Sequence, residues 1–210
     1  MNSCYLLEKE LGVTLWDPKN KYSFKNKELE DIFKYETEFL LSDEQIFNAN
    51  MYFMVTNIID KNTYPLSYEH FLKHSAMIGH PGAQYQLAKQ IGFKNPTESG
   101  KFMHQSAAQG HPKALYELSI AYRSIPELYN IKPNSKISEL LLEEAVCLGD
   151  SQAVSNKAVS SLFETQEIKE SLEKINELAN SGNAFARKFI EDTDINDMSS
   201  EELKEFVDRE

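Results

Sequence analysis

The chain has 210 residues, 41% hydrophobic and 26% charged, which is the balance of a folded protein and excludes wholesale disorder. No run of about 18 apolar residues occurs, so no membrane-spanning helix is expected; two isolated cysteines, Cys4 and Cys147, support neither a disulfide framework nor a zinc site. The net charge of −11 lies wholly in the last third: residues 1–136 hold 15 acidic and 15 basic side chains, and residues 137–210 hold 18 and 7. A negative surface repels phosphates, so nucleic acid is excluded as a partner in favour of a basic protein surface. Solubility alone also accounts for acidic charge.

The opening residues carry no basic start, and charge interrupts their apolar stretch at once, so they do not read as a secretory signal. The expected location is the cytoplasm, with both thiols reduced. Leu6, Leu7 and Leu11 predict a short first helix. Residues 16–27 read as a loop with a turn at Asp17-Pro18. Ile32, Phe33, Phe39 and Leu40 place a helix over 28–41. Ser42-Asp43 caps the next, which runs to about residue 59 and is apolar over too wide a face for a lone surface helix. Residues 61–65 form a turn, and Ser67 opens a helix ending at Ile78. Further helices fall at about 82–91, 97–109, 113–123, 135–148, 151–163, 167–181 and 184–191. After a break at 192–196, Ser199 and Glu202 form a capping box that starts a last amphipathic helix bearing Leu203, Phe206 and Val207.

A repeat organises the middle of the chain. Ser75-Ala76-Met77-Ile78-Gly79-His80-Pro81-Gly82-Ala83-Gln84-Tyr85-Gln86-Leu87-Ala88 is matched in register by Ser106-Ala107-Ala108-Gln109-Gly110-His111-Pro112-Lys113-Ala114-Leu115-Tyr116-Glu117-Leu118-Ser119. Weaker copies span 145–153 and 178–186. The four glycines, 79, 110, 149 and 182, are 31, 39 and 33 residues apart. Such periods mean stacked helix pairs. Each glycine ends one helix by taking a left-handed conformation closed to other residues. His-Pro then opens the next helix, since proline at the first helical position loses no hydrogen bond. Asp150-Ser151 does the same by capping. Ala83, Ala114, Ala153 and Ala186 sit where helices approach closely, and Tyr85, Leu87, Tyr116 and Leu118 fill the space between pairs.

These copies resemble the Sel-one-like repeats, relatives of the tetratricopeptide repeats, whose hallmark is an A-A-x-x-G-x-x-x-A-x-Y-x-L-G run. The resemblance covers about residues 43–191. The connection at 91–96 is shorter and that at 123–136 longer than the usual Gly-rich loop, and the paired cysteines of some bacterial members are missing. The resemblance implies an all-α fold, an α-solenoid of antiparallel helix pairs. Residues 1–42 would form an N-terminal helical cap, 43–191 the repeats, and 192–210 an acidic C-terminal capping helix.

Chemistry-bearing patterns are sparse. His70 and His74 share a helix face but lack the glutamate of a zinc-protease motif. His80 and His111 occupy equivalent repeat positions and read as structural. No nucleophile elbow, Walker or dinucleotide fingerprint occurs, and 8 glycines leave little material for a phosphate loop. Cys147, near a helix-ending glycine, is expected to be buried. The carboxylates Glu143-Glu144, Glu201-Glu202 and Asp192 with Asp194 are expected to be solvated. Neither a catalytic residue, a metal ligand nor a cofactor is expected.

The expected function is binding of another protein. In related repeats the first helix of each pair lines the inner face, which selects Gln86, Lys89, Glu117 and Arg123 as exposed contact positions. Small acidic proteins with this repeat resemble bacterial immunity proteins, which block a cognate toxin. For a basic toxin domain, Asp192, Asp194, Asp197, Glu201 and Glu202 are the candidate contacts. An adaptor or effector tethering two proteins is the alternative, and an enzyme the third.

Overall fold

A computed structural model describes residues 15–34, 41–164 and 168–199, together with 202, 203 and 206. These residues form ten α-helices and three short 3-10 turns, with no strand among them. None of these helices is long and apolar enough to cross a membrane. The chain divides into two compact units, residues 1–144 and 145–210. The first holds α1 (Lys27–Phe33), α2 (Asp43–Ile58), α3 (Pro65–Ile78), α4 (Pro81–Ile91), α5 (Pro96–Ala108), α6 (Pro112–Arg123) and most of α7 (Ser135–Cys147). The second holds α8 (Ser151–Glu164), α9 (Ile168–Asn180) and α10 (Ala184–Thr193).

The four motif glycines share a positive φ, and three of them share one cap geometry. Gly79, Gly110, Gly149 and Gly182 all have positive φ, at 127°, 73°, 77° and 95°. After three of them the chain closes a paired cap of one kind. The Gly110 N–H donates to the Ala107 carbonyl and the His111 N–H to that of Ser106, at 2.9 and 3.3 Å. Gly149 with Asp150, and Gly182 with Asn183, repeat this pattern. At Gly79 both N–H groups, its own and that of His80, go to the Ser75 carbonyl.

The next residue then caps the following helix in all four copies. The Nδ1 atoms of His80 and His111 accept from the backbone N–H of Ala83 and Ala114, at 3.4 and 3.3 Å. Asp150 and Asn183 use a side-chain oxygen on Ala153 and Ala186, at 2.9 and 3.0 Å. Both histidines thus have the structural role expected of equivalent repeat positions, as helix caps. The four alanines are each fully buried or nearly so, as expected of close-approach positions.

Adjacent helices pack in order through the first unit, α2 on α3, α3 on α4, α4 on α5 and α5 on α6. Leu72, Ala76, Ala83 and Leu87 form a core cluster with Phe53, Tyr68, Ile91 and Phe102 around it. Buried serines tie neighbours together. Ser75 donates to the Ala49 carbonyl at 2.8 Å, Ser99 to Ala88 at 2.7 Å, Ser106 to Pro81 at 2.8 Å and Ser138 to Ser119 at 2.7 Å. Each bond satisfies a hydroxyl that would otherwise be costly to bury. In the second unit α9 packs on α8 and α10 around Leu162, Ile175, Ala186 and Ile195, and Leu203 and Phe206 cover that cluster. The Ser199–Glu202 capping box is present, with Ser199 N–H donating to Glu202 Oε2 at 2.8 Å.

Several boundaries depart from expectation. α3 begins at Pro65, not Ser67, because proline suits the first helical turn. α1 ends at Phe33, and residues 35–40 lie outside the described residues, as does the helix expected around Leu6 and Leu11. α10 runs to Thr193 and stops where Asp194 turns left-handed, with φ of 50°. The long connection after α6 holds a 3-10 turn, Pro126–Tyr129, whose Tyr129 is buried. Cys147 is exposed rather than buried. The equivalent Met77 is exposed at 76%, whereas the equivalent Ala108 is buried, so the motif position alone does not set burial.

Candidate protein-binding surfaces

In the first unit, a turn and two helices frame an open groove of about 550 Å³. It is lined by Lys61 and Asn62 of the turn, by Pro65, Tyr68 and Glu69 of α3, and by Tyr85, Gln86, Lys89 and Gln90 of α4. Helical spacing explains the lining. Residues 85 and 89, and 86 and 90, stand one turn apart on α4 and share a face. The cap at His80 fixes the rotation of that helix, so the repeat motif sets what the groove presents.

The groove's side chains are held by one another and by neighbours outside the lining. Tyr68 donates its hydroxyl to Gln86 Oε1 at 3.2 Å. Lys89 Nζ pairs with Glu117 Oε1 at 2.5 Å, linking α4 to α6. Glu69 pairs with Lys73 at 2.6 Å, and that hydrogen bond and charge hold the Glu69 carboxyl below its ordinary range. Tyr85 stacks on His111 with centroids 5.0 Å apart.

Of the four contact positions expected on the repeat helices, the structure brings three together. Gln86 and Lys89 line the groove, and Glu117 reaches it through its ion pair. Arg123 is exposed at the end of α6 and is not part of the lining. The expectation of full exposure is corrected for two of them. Gln86 and Glu117 are half-buried, because each is drawn against a neighbouring helix by its partner.

In the second unit Asp192, Asp194 and Asp197 are exposed where α10 ends. Asp194 takes the left-handed cap position, and its N–H donates to the Ile190 carbonyl at 3.0 Å. Asp197 follows one short turn later, its N–H on the Asp194 carbonyl at 3.0 Å. Glu202 is exposed but engaged, since the hydrogen bonds of its capping box lower its carboxyl. Glu201 lies outside the described residues. These carboxylates surround a helix end rather than a cleft, and what they offer chemically is a negative field.

Glu144 overturns one expectation. Its side chain is buried, not solvated, and accepts from the Tyr22 hydroxyl. Tyr22 belongs to residues 16–26, which form no helix but pack through Trp16, Tyr22 and Phe24. Trp16 touches His80, Asn50 and Gln109 in the same way. The dense aromatics Trp16, Tyr22 and Phe24 were the available signal in a segment otherwise read as loop.

The rings of His70 and His74 meet at a tilt of 39° with centroids 4.1 Å apart, and His74 Nδ1 contacts the His70 carbonyl at 2.8 Å. Among the described residues no three His, Cys, Asp or Glu side chains gather as a metal site would require. No family model matches the chain, and no curated protein matches it.

Proposed function

We propose that the chain is a protein-binding α-solenoid of Sel-one-like repeats that works in the cytoplasm, and that its acidic C-terminal part receives a basic surface of a partner, as an immunity protein receives a toxin. The observation that carries this reading is the charge distribution. Residues 137–210 hold 18 acidic and 7 basic side chains, with Asp192, Asp194, Asp197 and Glu202 exposed. A field of that sign steers a basic domain toward the surface and raises its association rate. The four positive-φ glycines, each followed by a helix-capping residue, support the repeat reading. The open groove with Gln86 and Lys89 offers a second contact region, and the large exposed side chains of Tyr64 and Leu66, at 58% and 82%, flank its lining residue Pro65 in sequence.

A second reading, an adaptor that tethers two proteins, is favoured by one specific observation. The groove, of mixed polar and apolar lining, and the acidic helix end belong to different compact units and suit different partners. Reversing the charge of Asp192, Asp194, Asp197, Glu201 and Glu202 separates the two. For a basic toxin the five lysines are expected to slow association by a factor of about ten or more at low salt and to flatten its salt dependence. Stopped-flow association with the captured partner at two ionic strengths measures this. Unchanged on-rates would remove the electrostatic reading.

A further inference from the structure

Residues 15–22 form no helix, yet the first unit holds them as it would hold a bound peptide. Asn50, itself buried, grips the Trp16 backbone twice. The Trp16 N–H donates to Asn50 Oδ1 at 2.8 Å, and Asn50 Nδ2 donates to the Trp16 carbonyl at 2.8 Å. The indole N–H donates to Gln109 Oε1 at 2.8 Å, and the indole ring leans on His80 at 5.6 Å. Gln109 passes the contact inward, donating to the Gly79 carbonyl and to Gln84 Oε1, both at 2.9 Å. A single amide chain thus runs from the indole to the first repeat junction.

Six residues later Tyr22 reaches the second junction. Its ring lies over Gly110 so closely that even a Cβ there would clash, and its hydroxyl donates to buried Glu144. Between the two anchors Asp17 closes a turn, accepting from the Lys19 N–H through Oδ1 and from the Asn20 N–H through its carbonyl, both at 3.0 Å.

Two features set this segment apart from core. Its hydrogen-bonding partners are Asn50, Gln109 and Glu144, polar groups that water can satisfy when the segment leaves, while its two rings rest on His80 and Gly110. α1, by contrast, buries Leu29 and Phe33 at 0% and 2% exposure. The grip on Trp16 also reads main chain, through Asn50, alongside the indole, and main-chain hydrogen bonds with side-chain anchors are how peptides are held in recognition grooves. Both anchors fall at glycine turns of the repeat, so the repetition that builds the fold also spaces the two seats.

We infer that the helices of residues 43–144 carry a peptide-binding site for a segment that presents an indole and, six residues on, a phenol, and that the chain fills this site with its own residues 15–22. A partner segment of the same chemistry competes with the chain's own for this seat. The inference does not depend on the acidic surface or on the groove between α3 and α4.

The test uses the full chain with a specific protease site inserted between Ser23 and Phe24. After cutting, a fluorescent synthetic peptide of residues 15–23 is expected to replace the cleaved piece while helical circular dichroism is kept. A peptide with Trp16→Ala is expected to bind at least tenfold more weakly, and Asn50→Ala in the cut chain to weaken the native peptide similarly. A cut piece that never exchanges, or helicity that is lost as it leaves, would overturn the inference by showing the segment to be core. Native-state hydrogen exchange on the uncut protein gives an independent reading. The Trp16 amide is expected to exchange at least a hundredfold faster than those of Leu72 and Leu115, and equal protection would contradict a separable segment.

Discussion

Lowering the pH from 7 to 4.5 is expected to remove on the order of 4 kcal/mol of stability through two side chains, His80 and His111. Each caps a helix by accepting a backbone N–H at Nδ1, which requires the neutral ring. His80 lies against Phe53 at 4.2 Å and Trp16 at 5.6 Å, and His111 against Tyr85 at 5.0 Å. Burial first, and the charge of the other histidine second, push His80 down to about 3. Burial, with Lys113 adding to it, pushes His111 down to about 4. The sign follows from these directions. The unfolded chain takes up protons near 6.5 and the folded chain refuses them, so stability is full above 6.5. It declines as pH falls and levels off only below the folded values. Each histidine contributes a slope of up to about 1.4 kcal/mol per pH unit.

Other carboxylates titrate as pH 4 is approached, so the contribution needs a matched control, and the chain supplies its design. Asn183 performs the same cap in the fourth copy without a titrating group. The double variant His80→Asn, His111→Asn is expected to lose some stability at pH 7 through its missing ring contacts. Between pH 6.5 and 4.5 its stability should stay nearly level where the parent's declines. Urea unfolding across that range reports both slopes, and parallel profiles would refute the assignment.

The second large effect is expected at Gly100. Glycine inside a helix ordinarily costs up to about 1 kcal/mol relative to alanine, so Gly→Ala usually stabilises. Here α5 runs against the 3-10 turn Pro126–Tyr129, and a Cβ on Gly100 would drive into the backbone carbonyl oxygen of Tyr129, far inside contact distance. A backbone oxygen cannot rotate away as a side chain can. The turn would have to move, together with buried Tyr129. Gly100→Ala is therefore expected to destabilise by about 2 kcal/mol or more, reversing the usual sign. A lowered midpoint in chemical unfolding is the expected result, and a raised one would show the turn to be free to shift.

Much of the fold was legible because the repeat is a local device. A glycine that needs positive φ, a capping residue after it and a close-packed alanine three further on all act within a few residues. Asp150 and the Ser199–Glu202 box were read correctly for that reason. The positions of His80 and His111 are legible in the sequence but their capping is not, because an imidazole is an uncommon cap and only its Nδ1 geometry reveals it. What stayed hidden depends on contacts distant in sequence. Trp16 meets Gln109 across 93 residues, and Tyr22 meets Glu144 across 122. No periodicity marks such pairs, so a closely held segment read as loop and a buried carboxylate as a solvated one. The candidate surface was legible in part. Residues 86 and 89 share a helix face by spacing alone, but the ion pair joining Lys89 to Glu117 depends on how α4 meets α6.

The most direct test of a protein-binding role is affinity capture with the intact chain from its source cells, at low and at physiological salt, with the bound proteins identified and quantified by mass spectrometry. The expected result is one basic partner in stoichiometric amount whose capture weakens as salt is raised, and whose toxicity is lost in the complex. Several partners in sub-stoichiometric amounts would favour the adaptor instead, and no bound protein at either salt would contradict the account.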